Sequence, residues 1–387
     1  MPLDNARLRR EPVREHPRSP HDPLRIALVA PPYFEIPPAA YGGIETVVAD
    51  LTDALVDSGH HVTLIGAGEN HTKANYIRAW DRIIPERLGD TYAEVSNAVV
   101  TRNVIRDMVG HLDVVHDHSL SGPLNAEIYA RWGLPTVVTM HGTAQDQNLR
   151  TYYGGMGSSV HMVAISGRQR ALAPEFNWVG TVHNAINVNR WPYHEKKQDY
   201  ALFLGRFSPD KGAALALDAA HEVGLPLVLA GKCQEELEKD YLEHEVKPRL
   251  LPQDTLFGVA DSREKRILLA NAQCLLFPVQ WEEPFGMVMI EAMACGTPVV
   301  ALRAGSVPEV IVDGVTGFIC EAPSELPAAL NTVGELDPAA CRNHVARNFS
   351  EAKLADGYAT AYRVAIATMP RVGFSARHLN SRVTARN

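Results

Sequence analysis

Two glutamates eight positions apart, Glu283 and Glu291, bound the stretch of this chain whose residue types point most directly to chemistry. It reads Trp281-Glu-Glu-Pro-Phe-Gly-Met-Val-Met-Ile-Glu-Ala-Met-Ala-Cys-Gly-Thr-Pro298. Pro284 suits the first turn of a helix, Gly296 its end, and Pro298 bars continuation. That reading puts Glu283 at the helix mouth and Glu291 about two turns in. A carboxylate at the mouth can accept hydrogen bonds from sugar hydroxyls, and one further along can clamp a ribose diol. Free N–H groups near Gly286 and Met287 would face phosphate or sugar oxygens. An acid that merely favours the helix dipole would explain Glu283 but not the whole string. Glu282 reads as a surface charge.

Three further features carry charge or backbone chemistry. Gly205-Arg206-Phe-Ser-Pro-Asp-Lys211-Gly212 sets two cations five apart across a turn, where a guanidinium fork and an ammonium can meet one diphosphate. An ordinary solvated loop explains that spacing equally well. Tyr41-Gly42-Gly43-Ile44-Glu45 joins an apolar run to an amphipathic one. Its glycines let backbone approach an anion at a helix start, although a tight turn is the simpler account. It matches neither GxGxxG nor GxxxxGK[ST]. His141 ends an apolar run and precedes Gly142. His116-Asp-His118 suggests a metal site, but neighbours on an extended chain point to opposite sides, and no metal is assigned.

These residues sit at the ends of short apolar runs typical of buried parallel strands. Arg25–Ala30 leads through a Pro/Gly-rich loop to a helical pattern over 44–58, with Ile44, Val47, Val48, Leu51 and Leu55 on one face and Gly59 beyond it. His61–Gly66 follows, completing a βαβ unit. Further runs end at His116, at His141 and at Ser166. After a polar linker near residue 195, a second series runs through Tyr200–Leu204, Pro226–Ala230, Cys274–Phe277 and Pro298–Leu302. Two successive alternating series predict two α/β domains. The expected division is a mobile tail over 1–23, a first domain over 24–195, a second over 196–360, and a C-terminal helix and tail over 361–387 returning toward the first domain.

The chain has 387 residues, 46% hydrophobic and 21% charged, which suits two globular domains. A net charge of -8 argues against general nucleic-acid binding. Five scattered cysteines without CxxC spacing argue against a disulfide framework or zinc site and for a reducing cytoplasm. No apolar run spans a membrane and the N-terminus has no secretory core. The acidic balance and the lack of a basic amphipathic helix favour a soluble partner over a lipid.

The Glu283–Glu291 segment resembles the E-x7-E motif of retaining GT-B glycosyltransferases, the group that includes glycogen synthases and many bacterial mannosyl- and glucosyltransferases. The resemblance runs from about Arg25 to Leu330. Tyr41-Gly42-Gly43 resembles the family's glycine loop under the donor diphosphate. Gly205-Arg206 and Lys211-Gly212 resemble its phosphate-binding pair, and Thr139-Met140-His141-Gly142 its first-domain histidine segment. Ala304-Gly305-Ser306-Val307-Pro308-Glu309 resembles a Gly-Gly-x-x-Glu segment with one glycine replaced. His183–Asn187 departs from the family pattern at Ala185 and Asn187, and no role is assigned there.

What the resemblance implies is a GT-B fold of two Rossmann-like domains facing a cleft, and a retaining hexosyltransferase. Glucose or mannose would pass from a UDP- or GDP-sugar to a saccharide or small glycoside, with no cofactor and no divalent metal. His141, Arg206, Lys211 and Glu283 would be catalytic. Gly42, Gly43, Gly205, Arg206, Lys211, Phe285, Gly286, Met287, Val288 and Glu291 would bind the donor. The rival readings are a nucleotide-sugar-binding protein without transferase activity and a GT-B phosphorylase or epimerase.

Overall fold

The computed structural model describes residue 19, residues 22–38 and residues 42–369. Most of the expected N-terminal tail, the Arg-rich C-terminal stretch and Tyr41 of the glycine loop lie outside the described residues.

Two parallel sheets form the body of the molecule. The first contains β1 (Arg25–Val29), β2 (His61–Ala67), β3 (Asn75–Trp80), β4 (Val114–Asp117), β5 (Thr136–Met140), β6 (Val160–Ala164) and β7 (Trp178–Thr181). Their order across the sheet is β3-β2-β1-β4-β5-β6-β7. The second contains β8 (Ala201–Leu204), β9 (Leu227–Ala230), β10 (Thr255–Gly258), β11 (Cys274–Phe277), β12 (Val299–Leu302) and β13 (Gly317–Cys320), ordered β10-β9-β8-β11-β12-β13. Pairing is parallel in both, for example Leu28 beside Leu64 and Leu202 beside Val228. The chain winds outward in both directions from β1 and from β8. Crevices therefore open at the carboxyl ends of β1 and β4, and of β8 and β11, where α/β sheets place ligands.

The central strands are buried along nearly all of their length because helices cover both faces. Gly43–Asp57 buries Val47, Val48, Leu51 and Leu55 against the first sheet, as the periodicity predicts, and Gly59 follows it with φ 86°. The second helix of interest starts later than the proline suggests. Gly286 has φ 75°, which ends any helical path from Pro284, and the helix runs Met287–Ala294. Glu291 is its fifth residue, so it lies just over one turn in rather than two.

The return to the first domain also begins earlier than residue 361. The helix Glu351–Thr368 packs on Gly43–Asp57 and beneath β5 and β7. Its Tyr358 and Tyr362 are fully buried there. No helix among the described residues is long and apolar enough to cross a membrane.

The Tyr362 hydroxyl lies 2.8 Å from His116 Nδ1 in the core. Tyr362→Phe should cost about 1–3 kcal/mol by leaving that buried nitrogen without its partner. Tyr362→Ala should cost about 3–5 kcal/mol, as aromatic truncations in cores do. Denaturant unfolding of both variants measures the two effects.

Candidate active site

The groove between the sheets collects most of the residues expected to bind a donor. Gly42 and Gly43 from the first domain face Gly205, Arg206, Lys211, Met287, Val288 and Glu291 from the second across a space of about 350 Å3. Gly42 has φ 150°, and a Cβ there would sit 2.9 Å from Pro38 and from the Glu45 carboxylate. The turn therefore brings bare backbone to the groove. The carbonyl of Gly42 accepts from Thr46 N, and the Glu45 carboxylate takes its own amide, leaving the amides of Gly43 and Ile44 at the open helix start.

Three cations of this groove, Lys211, Arg206 and Lys265, are held by carboxylates. Lys211 Nζ lies 2.5 Å from Glu283 Oε2, and the same oxygen accepts from Trp281 Nε1 at 3.0 Å. The Lys211 ammonium also stands 4.7 Å above the Trp281 ring. Arg206 Nη1 donates to Glu238 Oε1 at 3.1 Å while much of its side chain stays exposed. Burial would raise the Glu238 carboxyl, but the amides of Gln234 and Glu235 and the Arg206 guanidinium hold it below the usual range. Glu291 pairs with Lys265 at 2.8 Å.

Two expected donor residues are placed differently. Phe285 is 1% exposed, and its ring packs on Phe349 and His183 at centroid distances of 5.8 Å. It is a core residue, because the chain must turn inward to start the helix. Gly286 caps that helix without lining the groove. Conversely, Lys232 and Lys265 line it without having been assigned a role from sequence. Gly231-Lys232 follows β9 as Gly205-Arg206 follows β8, so that signal was present. Lys265 comes from the helix Ser262–Asn271 and has no local motif.

On the other side of the glycine turn lies a second cavity of about 390 Å3 within the first domain. His141 lines it at the end of β5, beside His118 from the end of β4. His118 Nδ1 and His141 Nε2 are 2.9 Å apart, so one donates and the other accepts. Burial pushes His141 down to about 4 and His118 well below its ordinary value, and both rings are neutral near pH 7. Alternation separates Asp117 from its neighbours, but His116 and His118 share a side with ring centroids 4.0 Å apart. His116 is tied into the core: Nε2 reaches Thr139 Oγ1 at 2.8 Å, and Thr139 reaches the Tyr358 hydroxyl at 2.8 Å. No group of three or more His, Cys, Asp or Glu suited to a metal ion occurs among the described residues.

The two domains also touch through charge. Glu309 of the second accepts from the amides of Gly167 and Arg168 at 2.7 Å each and from His183 Nε2 at 3.0 Å. Burial alone would raise the Glu309 carboxyl, but these donors hold it below its usual range. Glu282, expected as a surface charge, takes both arms of Arg168 at 2.6 and 2.8 Å.

Facing Rossmann-like domains with ligand crevices at both winding reversals define the GT-B class of glycosyltransferase. Residues 41–190 match the family described as "Glycosyltransferase Family 4", and residues 187–343 match "Glycosyl transferases group 1". The chain belongs to the group 1 glycosyltransferases of the GT-B fold. It is 26% identical to a glycogen synthase of Mycobacterium tuberculosis, over 82% of this chain and 88% of that one. It is also 26% identical to a phosphatidyl-myo-inositol mannosyltransferase of the same organism, over 79% and 85%. Among solved structures, AviGT4, a glycosyltransferase involved in avilamycin A biosynthesis, superposes with a TM-score of 0.67 at 27% identity, over 89% of this chain and 99% of that one.

Glu45 points into the first-domain cavity, and burial raises its carboxyl to about 7. A folded pKa above the unfolded value of 4.5 means the native state binds the extra proton. Its contribution to stability is full below pH 4.5 and is lost as pH rises to about 7. Glu45→Gln should remove that part of the slope, so melting temperatures of variant and wild type should diverge between these limits, with the variant the more stable at the upper one.

Proposed function

We propose that this glycosyltransferase is a retaining, metal-independent hexosyltransferase using a UDP- or GDP-sugar and a saccharide or small glycoside acceptor in the cytoplasm. The observation that carries the reading is the convergence of Arg206, Lys211 and the Gly42–Gly43 turn on one groove. Breaking the bond from the anomeric carbon to the diphosphate puts negative charge on the leaving group and positive character on the sugar. Arg206 and Lys211, with Lys232 and Lys265 nearby, supply fixed positive charge for the first, a task for which a divalent ion is an alternative rather than a requirement. The amides at the start of Gly43–Asp57 add partial charge from the opposite domain.

Glu283 has both a lysine and an indole N–H on one oxygen, which suits it to orient donor hydroxyls rather than attack carbon. Retention then follows from front-face attack. The acceptor oxygen bonds to the anomeric carbon on the side the diphosphate leaves, and a leaving phosphate oxygen takes the hydroxyl proton. Glu291, held by Lys265, accepts from the ribose diol. Neutral His141 exchanges hydrogen bonds with sugar or acceptor hydroxyls in the first-domain cavity. The names of the relatives, a glycogen synthase and a mannosyltransferase, support glucose and mannose as the leading sugars.

Arg206→Ala should lower turnover by about 10²-fold or more, the cost of removing one preorganised charge-stabilising donor, with the fold intact by circular dichroism. Turnover within a few-fold of wild type would remove its leaving-group role. Glu291→Ala should weaken nucleotide binding by roughly tenfold or more, as the loss of a hydrogen bond to a charged group predicts. Calorimetric titration with UDP and GDP reads that change, and an unaltered affinity contradicts the ribose contact.

A further inference from the structure

The first-domain cavity has a charge and polarity that single out a class of acceptor, on the premise that it is the acceptor side of the proposed transfer. Among the described residues no lysine or arginine lines it. Its two carboxylates, Glu45 and Glu94, are 4% and 7% exposed. Glu94 accepts from the Tyr33 hydroxyl at 2.7 Å and from Ser121 N at 3.3 Å. Glu45 has no cation offsetting its burial. The imidazoles of His118 and His141 are neutral. A phosphate or carboxylate placed here would meet buried acids without a counter-charge. Ring hydroxyls, by contrast, find acceptors in Glu45 and in imidazole nitrogen.

The remaining wall is apolar, formed by Phe34, Ile44, Leu88, Leu120 and Leu149. Leu88 and Leu120 are 57% and 49% exposed, so this wall continues out of the mouth. Exposed apolar side chains at the rim of a cavity fit an elongated apolar ligand better than a free sugar.

We propose that this cavity takes a non-anionic glycoside whose sugar ring lies against Glu45, His118 and His141 and whose apolar aglycone runs along Phe34, Leu88 and Leu120 to the mouth. Calorimetric titration of the full-length chain with methyl glucoside, with octyl glucoside below its micelle concentration and with octyl glucoside 6-phosphate tests it, with the matching mannosides in parallel. The octyl compound should bind at least tenfold more tightly than the methyl one, and the phosphate should reverse at least tenfold of that gain. Glu45→Gln should shrink the phosphate penalty at least threefold. Leu120→Ser should reduce the chain-length gain while leaving the phosphate penalty in place. Equal or tighter binding of the phosphorylated compound overturns the inference, as does the absence of chain-length dependence or of any binding. Because these titrations require no turnover, they stand apart from the transferase reading. That reading fails separately if UDP-glucose and GDP-mannose neither stabilise the protein against heat nor react with a glycoside that binds.

Discussion

The groove between the domains holds one arginine and three lysines close together, and the protein tolerates this by pairing Lys211, Arg206 and Lys265 with carboxylates. Lys211 rests on Glu283, Arg206 on Glu238 and Lys265 on Glu291. Partly buried cations repel one another and lose hydration, and a nearby carboxylate offsets both effects. Each acid also fixes the direction of its cation, so that little reorganisation would accompany entry of the diphosphate proposed above. The same pairs explain the spacing of the Glu283–Glu291 segment: one acid answers a lysine on the loop after β8, the other a lysine on the helix before β11.

The first domain is organised on the opposite principle. Burial pushes the histidines at its cavity, His118 and His141, below their ordinary range, and with His116 they are oriented by hydrogen bonds rather than ion pairs. Tyr358 and Tyr362 on the C-terminal helix, with Thr139 on β5, hold His116, and the His116 ring packs against His118 beside the cavity. The last helix among the described residues thus helps set the geometry of a site assembled by β4 and β5. A groove lined by cations and a cavity lined by imidazoles and two buried acids meet at the Gly42–Gly43 turn, which lines both.

Strong apolar runs made the central strands of both sheets legible from sequence. The strands that could not be read that way are β3, β7, β10 and β13, the four sheet edges. An edge strand is covered less completely, and β3 and β10 in particular alternate with exposed or half-exposed residues, so no continuous apolar run marks them. At the site, loop motifs located Arg206, Lys211 and Glu291 because glycine and proline fix where a chain turns. Phe285 was misread because adjacency to a motif says nothing about which way a ring points. Lys265, Glu94 and the partners of Glu309 come from elements distant in sequence, and only folding brings them together.

The polypeptide passes between its two halves twice, outward after β7 and back at Phe349, and these passages are joined by the Ile186 amide donating to the Phe349 carbonyl at 3.0 Å. Arg342 adds stiffness by donating to the carbonyls of Val188, Trp191 and Ala294. Together they make a spine like that of a book. Swinging the covers about such an axis stretches neither passage, whereas sliding them apart would shear both. Arg168 with Glu282, and Glu309 with the amides of Gly167 and Arg168, then act as a clasp between the covers, so that reading and shutting share one arc.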